Sequence, residues 1–177
     1  MSDPATLPEL LGALETVARE IEARFAALPH EAFFAGDEMR WSPAHHLSHL
    51  TLGHTRVARG LSAPDALPAT GLRSLGYAAI RDRYVTELPL APPERLRNNP
   101  LPPRIRPEDT QASLVETYAA RSAALREAAA GWNEAALDAK EMQHPFLGPL
   151  TVRDMLAFFV FHDRHHLAGV QRRLRSA

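Results

Sequence analysis

The segment of residues 151–174, TVRDMLAFFVFHDRHHLAGVQRRL, carries two histidines within an amphipathic pattern. His162 and His166 are four residues apart, so on a helix their Cβ atoms lie about 5–6 Å from each other on one face. The other side chains on this face are apolar: Val152, Met155, Phe159 and Val170. The segment is therefore predicted to be a helix that directs a histidine pair into a core.

A buried imidazole needs a polar partner, because an unsatisfied buried polar group costs about 1–3 kcal/mol. One metal ion would satisfy both rings, but the spacing by itself is weak evidence. Nine histidines in 177 residues give about 0.45 such pairs by chance, and the chain has two, His45/His49 and His162/His166. A metal site therefore requires a further ligand from a facing helix. Without one, these are core histidines bonded to carbonyls or carboxylates.

Three further segments share the 3.6-residue periodicity of amphipathic helices. They are residues 4–28, 43–60 and 110–131. The second has the clearest start, because Ser42 is suited to cap a helix and Pro43 to its first turn. The last helix is predicted to be capped by Thr151, with Asp154 in the capping-box position. No strand-like alternation persists, so the fold class is predicted to be all-α, a four-helix bundle in one domain over residues 1–177.

The connection between the second and third long helices is predicted to be a long proline-rich crossover. Residues 62–109 contain nine of the 15 prolines, which break helices and remove backbone donors. Within it, residues 71–88 are predicted to form a short helix with the apolar stripe Leu72, Leu75, Ala79, Ile80 and Tyr84. Two roles stay open for the crossover, a lid over a site and a strap outside the bundle. Residues 132–142 are predicted to add a helical turn, and residues 144–151 to form a turn rich in proline and glycine.

Composition restricts the chemistry. The chain has no cysteine, which excludes disulfides, cysteine ligands and cysteine nucleophiles, so a metal must be held by imidazole and oxygen ligands. Its 20 basic and 21 acidic residues are balanced, which argues against nucleic-acid and anionic-membrane surfaces. No apolar run reaches the roughly 20 residues of a membrane span. The first residues lack a secretory pattern, so a cytoplasmic location is the default expectation.

The third ligand is sought in the second helix, which contains four histidines: His45, His46, His49 and His54. One helix cannot direct all four at one point. His45 and His49 share a face, and His46 and His54 lie to one side of it. His49 lies one to two turns inside the helix, where facing helices of a bundle build metal sites. Neutral imidazole is a good ligand for zinc, nickel, copper and iron, and three protein ligands leave open positions for water or substrate.

Two patches of the chain resemble the DinB/YfiT superfamily of bacterial metal-binding four-helix bundles. They are Trp41-Ser42-Pro43 followed by His49, and HPFLGPLTVRDMLAFFVFHDRHHL in residues 144–167. The resemblance implies that His49, His162 and His166 hold one divalent metal ion, zinc or nickel. It also implies an up-down-down-up bundle with one long crossover, often paired as a homodimer.

Some relatives carry glutamate at the His162 position and use low-molecular-weight thiols as co-substrates. The histidine here is typical of the three-histidine branch of the family. Gly169 departs from the pattern, since relatives commonly carry glutamine at that position. The resemblance therefore implies the three metal-binding histidines for this chain but no role for that amide.

Four other residues are assigned roles around the predicted metal site. His45 is predicted to lie at the pocket rim or behind a ligand, and His165 at the pocket edge or on a dimer surface. Asp163 could orient an imidazole, although a salt bridge is the favoured interpretation. His144 is predicted to belong to the turn. The apolar run Phe158, Phe159 and Phe161 indicates a helix covered on more than one side, which a partner chain in a homodimer would explain.

Two classes of function fit this site. One is a metal-dependent enzyme, a hydrolase or a low-molecular-weight-thiol S-transferase, in which the ion activates water or a thiol. No carboxylate stands out as a general base, which weakens the hydrolase hypothesis, and no catalytic residue is assigned. The alternative is a non-catalytic metal-binding or stress-response interaction module. An open, polar-lined pocket would favour the enzyme, and a closed apolar pocket would favour the module.

Overall fold

A computed structural model of the chain describes residues 3–36, 41–87 and 104–175. Its four long helices are α1 (Leu7–Ala26), α3 (Pro43–Leu61), α5 (Gln111–Ala130) and α7 (Val152–Arg175). Shorter elements lie between them: the helices α2 (His30–Phe34), α4 (Tyr77–Glu87) and α6 (Glu134–Ala139), and the strands β1 (Glu141–His144) and β2 (Gly148–Thr151). The all-α prediction is confirmed. Within the described ranges, no helix combines the length and hydrophobicity that crossing a membrane requires.

Contacts at the helix ends give the direction of each long helix. Gln111 at the start of α5 donates to the carbonyl of Phe25 at the end of α1, so these two helices are antiparallel. Arg153 at the start of α7 donates to a carbonyl just before α1, so α1 and α7 are parallel. Trp132, just after α5, donates to the carbonyl of Leu61, so α3 and α5 are parallel. The order is therefore up-down-down-up, and the connection from α3 to α5 must return along the bundle.

The helix starts follow local capping chemistry. Ser42 accepts a hydrogen bond from the backbone N–H of His45, and Pro43 begins α3 as predicted. Thr110 caps α5 in the same way. The first helix begins at Leu7, later than predicted, because Thr6 and a glutamate three residues on form a capping box there.

The apolar side of α7 is covered within the chain. Phe158 and Phe161 are 3% and 8% exposed, and the ring of Tyr84 in α4 lies 5.4 and 5.6 Å from their ring centroids. The phenylalanine run therefore needs no partner chain to explain it. The homodimer stays a prediction that rests on the family resemblance alone.

The short helix α4 forms inside the predicted range, but its apolar stripe was partly wrong. Leu72 and Leu75 precede the helix and are 42% and 50% exposed. They lie instead in an extended segment that Asp154 of α7 anchors, because its carboxylate accepts from the N–H groups of Leu75 and Gly76 at 2.9–3.0 Å. Gly76 has a φ of +83°, a conformation that favours glycine. Residues 88–103 of the crossover lie outside the described residues.

The anchoring of the crossover also corrects the predicted capping box. The hydroxyl of Thr151 accepts from the backbone N–H of Asp154 at 3.1 Å, which is the predicted cap. The carboxylate of Asp154 does not complete the capping box, because it accepts hydrogen bonds from the backbone of the crossover instead. One side chain thus joins the start of α7 to the segment that leads into α4.

The predicted turn before α7 extends into a small hairpin. Strands β1 and β2 pair antiparallel, from Glu141 opposite Thr151 to His144 opposite Gly148. Nδ1 of His144 accepts from the backbone N–H groups of the next turn residues at 3.0 and 3.2 Å, which fixes the turn. The sequence indicated no strand here, because four-residue strands containing a proline carry too short an alternation to recognise.

Replacing Asp154 is expected to release the crossover. Asp154→Ala leaves two backbone N–H groups without their acceptor and should lower the free energy of unfolding by about 1–3 kcal/mol. It should also speed proteolytic cleavage near residues 70–76, which limited proteolysis followed by mass spectrometry would detect. Asp82→Ala, at an exposed acid on α4, is the control and should change the free energy by less than about 0.5 kcal/mol. An unchanged cleavage pattern in Asp154→Ala would contradict the anchoring role.

Candidate metal centre

The antiparallel helices α3 and α7 bring three histidine rings together inside the bundle. Nε2 of His162 lies 3.3 Å from Nε2 of His49 and 3.0 Å from Nε2 of His166. One ring nitrogen from each of the three residues falls within a group no wider than 4.8 Å. The three side chains are 9%, 5% and 8% exposed in chain order. The residues predicted as ligands therefore converge on one point, from two helices.

Close packing of the two helices makes this convergence possible. Gly53, one turn after His49 on α3, faces Phe159 of α7, and a Cβ atom at Gly53 would lie 3.1 Å from Phe159 Cε1. Such a separation is tighter than nine in ten real Cβ contacts, so a side chain at Gly53 would require Phe159 to shift. The absence of a side chain at Gly53 lets α3 approach α7 beside the histidines.

The spacing of the nitrogens fits a metal ion. Zinc binds imidazole nitrogen at about 2.0–2.1 Å, so two ligands of a tetrahedral ion lie about 3.3–3.4 Å apart and two at a right angle about 2.9 Å apart. The Nε2 atom of His162 lies 3.3 Å from that of His49 and 3.0 Å from that of His166, close to these values. All three ligand atoms lie within 4.8 Å of one another, so the group could hold one ion.

Hydrogen bonding among the rings cannot satisfy the cluster by itself. Each Nε2 atom of a neutral imidazole either carries one proton or offers one lone pair. Three Nε2 atoms at one point can therefore form only one linear hydrogen bond among themselves. A shared cation accepts all three lone pairs, so the donor set suits a metal better than it suits a histidine hydrogen-bond network.

Burial keeps the rings in the state that binds metal. Desolvation lowers the pKa of His162 and His166 well below the ordinary value of 6.5, and the neighbouring histidines lower it further. Neutral imidazole is the form that donates a lone pair to a metal. The apo protein therefore presents ligands that need not lose protons at neutral pH.

His46 supports the ring of His166 from behind. The two Nδ1 atoms are 2.7 Å apart, and burial lowers the pKa of His46 to about 4. When Nε2 of His166 offers its lone pair to a metal, its Nδ1 carries the proton and donates to Nδ1 of His46. Such a bond fixes the tautomer and orientation of a ligand ring. Trp41 also stacks on His166, at 6.2 Å and 12° between ring planes.

The ring of His162 is oriented mainly by packing. It stacks on Phe158 with ring centroids 4.9 Å apart and planes at 27°. Its Nδ1 is buried and, among the described residues, has no hydrogen-bond partner. The two clustered histidines on α7 are thus held differently, His166 by a hydrogen bond and a stacked ring and His162 by a stacked ring without a hydrogen bond at Nδ1 from any described residue.

Asp163 belongs to a separate buried network, in which it pairs with His54; this agrees with the salt bridge favoured from the sequence and not with a role in orienting a ring of the cluster. Its carboxylate accepts from Nε2 of His54 at 3.1 Å and from the hydroxyl of Tyr118 at 2.9 Å. Asp163 and His54 are both fully buried. The carboxylate therefore joins α3, α5 and α7 in the core instead of facing the metal ligands, because it points away from the face that carries His162.

The remaining histidines have distinct places. Nδ1 of His45 lies 2.7 Å from the hydroxyl of Ser42, so His45 completes the capping box of α3 and does not line the cavity described below. His165 lies at the cavity edge, with its ring 5.8 Å from that of Tyr84. His144 also lines the cavity while it fixes the hairpin turn.

A cavity of about 360 Å³ opens beside the histidine cluster. Its walls come from α3, α4, α7 and the hairpin and are mainly aromatic and aliphatic. Besides the three clustered histidines, its polar side chains include Arg56, Gln143, His144 and His165. No carboxylate lines it within the described part of the chain. The cavity therefore has the access expected of an enzyme and the apolar walls expected of a binding module.

The fold and the site define a class, the helical bundles that gather histidines from two antiparallel helices. A family profile of the DinB superfamily matches residues 13–169, which include all three clustered histidines. The chain therefore belongs to the DinB superfamily. Searches among curated proteins and among solved structures gave no match.

Acid is expected to destabilise the metal-free protein, because several of its histidines are buried in the neutral form. Burial lowers the pKa of His144 to about 4, whereas the unfolded chain titrates near 6.5. The unfolded state therefore binds more protons than the folded state below pH 6.5. The free energy of unfolding decreases as the pH is lowered through this range. For His144 alone the loss between pH 6.5 and 5 is about 1.5 kcal/mol.

Urea unfolding of chelator-treated protein at pH 7.5, 6.5, 5.5 and 5.0 measures this loss. His144→Gln is the matched variant and should show a shallower dependence on pH than the wild type. A free energy of unfolding that stays constant from pH 7.5 to 5.0 would contradict the burial of neutral histidines.

Proposed function

We propose that this protein is a divalent-metal-dependent enzyme that binds one zinc or nickel ion through His49, His162 and His166. The observation that carries the proposal is that the three convergent nitrogens lie at the wall of a substrate-sized cavity. A purely structural site is closed by four protein ligands, whereas a catalytic site has three and an open position. The histidine cluster offers three protein ligands, the number typical of a catalytic site.

The ion, when bound, supplies a Lewis acid that lowers the pKa of a coordinated water or thiol toward neutrality. The protein's own residues position it and exclude bulk water. His46 and Trp41 hold the ring of His166, and Phe158 holds that of His162. The apolar walls of the cavity lower the local dielectric, which strengthens the electrostatic effect of a charge placed there.

Thiol S-transfer fits the cavity better than hydrolysis does. Hydrolysis by activated water usually needs a general base to accept the second proton, and no carboxylate lines the cavity among the described residues. A thiol has only one proton to lose, and it loses it readily beside a divalent ion. In the transfer, the sulfur forms a bond to an electrophilic carbon while the leaving group departs with the bonding pair; the thiol proton goes to solvent. Hydrolysis is the second candidate.

A non-catalytic metal-binding module is the alternative from another class. The observation that favours it is the apolar character of the cavity walls, which offer few groups to handle protons. The membership of the DinB superfamily is compatible with both functions. A cytoplasmic location and the absence of nucleic-acid and membrane partners stay predictions from composition.

Two parallel assays separate the three possibilities. Metal-loaded protein would be incubated with cysteine and 1-chloro-2,4-dinitrobenzene to measure thioether formation, and with 4-nitrophenyl acetate to measure hydrolysis. Chelator-treated protein and His162→Ala are the controls. We expect metal-dependent thioether formation above both controls and ester hydrolysis close to them. Metal-dependent hydrolysis alone would support the hydrolase, and a loaded protein active in neither assay would support the module.

A further inference from the structure

One arginine stands at the wall of the cavity without an anionic partner. Arg56 of α3 lines the cavity and is itself exposed to solvent, and among the described residues no carboxylate forms an ion pair with it. The nearby Arg83 is different, because it is paired with Glu87 at 2.6 Å and donates to a hairpin carbonyl. Arg56 is thus the cation that the cavity leaves available to a ligand.

The charge of the cavity has one sign. Its described lining includes no aspartate or glutamate, and Arg56 is the only arginine or lysine in it. The permanent charge at the wall is therefore the guanidinium of Arg56, and an ion at the histidine cluster would add positive charge. A neutral or cationic ligand would leave both positive charges, that of Arg56 and that of the ion, without a negative partner.

The histidine cluster and Arg56 lie at different heights along α3. His49 and Arg56 are seven residues apart on α3, which corresponds to about 10 Å along the axis. Gly53 lies between them on the cavity side, and its missing side chain leaves that stretch of the wall to Phe159. Apolar side chains also line the space, among them Met155, Phe158 and Met142.

From this arrangement we infer that the cavity binds a small molecule with an apolar body and a single carboxylate, the carboxylate at Arg56 and the other end at the histidine cluster. The second part rests on the proposed function, because the far end would meet the metal there. The first part does not, because the contact with Arg56 needs no metal. A carboxylate is favoured over a phosphate because one guanidinium matches its two oxygens in a bidentate pair, whereas the described lining offers no second side-chain cation for a dianion.

The carboxylate contact is tested on metal-free protein with two probes of equal shape. Calorimetric titration would compare 4-phenylbutanoate with 4-phenylbutanamide in the presence of a chelator. We expect the carboxylate to bind about tenfold more tightly than the amide, as a charge-assisted hydrogen bond provides. Arg56→Gln should reduce this ratio to below about twofold, because it keeps a polar side chain and removes the charge. Arg59→Gln, an exposed arginine of α3 outside the cavity lining, should keep the wild-type ratio.

Equal binding of the two probes, or a preference that survives in Arg56→Gln, would overturn the inference whatever metal the protein binds. Failure to bind metal would instead overturn the proposed function and leave the carboxylate preference intact.

The orientation is tested in zinc-loaded protein with two mercapto acids of different length. We expect 6-mercaptohexanoate to bind at least fivefold more tightly than 2-mercaptoacetate, with the advantage lost in Arg56→Gln. Equal binding of the two acids would overturn the orientation.

Discussion

Asp163→Ala is expected to lower the free energy of unfolding by about 3–5 kcal/mol. The substitution removes the acceptor of both His54 and Tyr118 in a fully buried place and leaves two donors without partners. For a chain of this length the melting temperature should fall by roughly 10 °C. Thermal and urea unfolding of metal-free protein measure the effect without a contribution from ion binding.

Tyr118→Phe provides a graded comparison for the same network. It removes one of the two hydrogen bonds and keeps the ring, so the expected loss is about 1–2 kcal/mol. His45→Ala, which affects only the cap of α3, should cost about 1 kcal/mol or less. A loss below 1 kcal/mol in Asp163→Ala would mean that the network does not hold α3, α5 and α7 together.

His162→Ala is expected to weaken zinc or nickel binding by more than about 100-fold. It removes the ligand whose Nε2 lies within 3.3 Å of both other nitrogens, and even a group that only supports a ligand accounts for about 10–100-fold in affinity. His49→Ala and His166→Ala should have effects of the same size. Competition with a chelating dye of known affinity measures all three.

Three variants serve as comparisons in the same titration. His46→Ala should weaken binding by about 10–100-fold, because His166 loses the group that fixes its tautomer. His45→Ala and His165→Ala should weaken it little, since the first is used in a helix cap and the second stands at the cavity edge. Equal losses in all the histidine variants would mean that the ion is held by another set of residues.

Helix positions were predictable because their signals are local. Ser42 followed by Pro43 marked the start of α3, and the 3.6-residue pattern gave the four long helices to within a few residues. The role of Asp154 was not predictable, because the same residue type in the same position serves a capping box or a distant loop. Only the path of the crossover decides between them, and that path depends on contacts some 80 residues apart.

The site was predictable to a similar depth. Helix geometry places His162 and His166 on one face, and the resemblance to the family indicated His49 as the third residue; the structure brings the three together. His46 was assigned to one side of the site, because a helical wheel gives the direction of a side chain but not the neighbour at its level. The antiparallel pairing of α3 and α7 puts His46 opposite His166, which no single helix reveals.

The metal content of the wild-type protein tests the central claim most directly. Purified protein would be stripped with a chelator, equilibrated with zinc or with nickel, freed of unbound ion by gel filtration and analysed by elemental mass spectrometry. Three histidines that form one site predict one ion per chain, and none after the same treatment of His162→Ala. A wild-type protein that retains no zinc and no nickel would contradict the account.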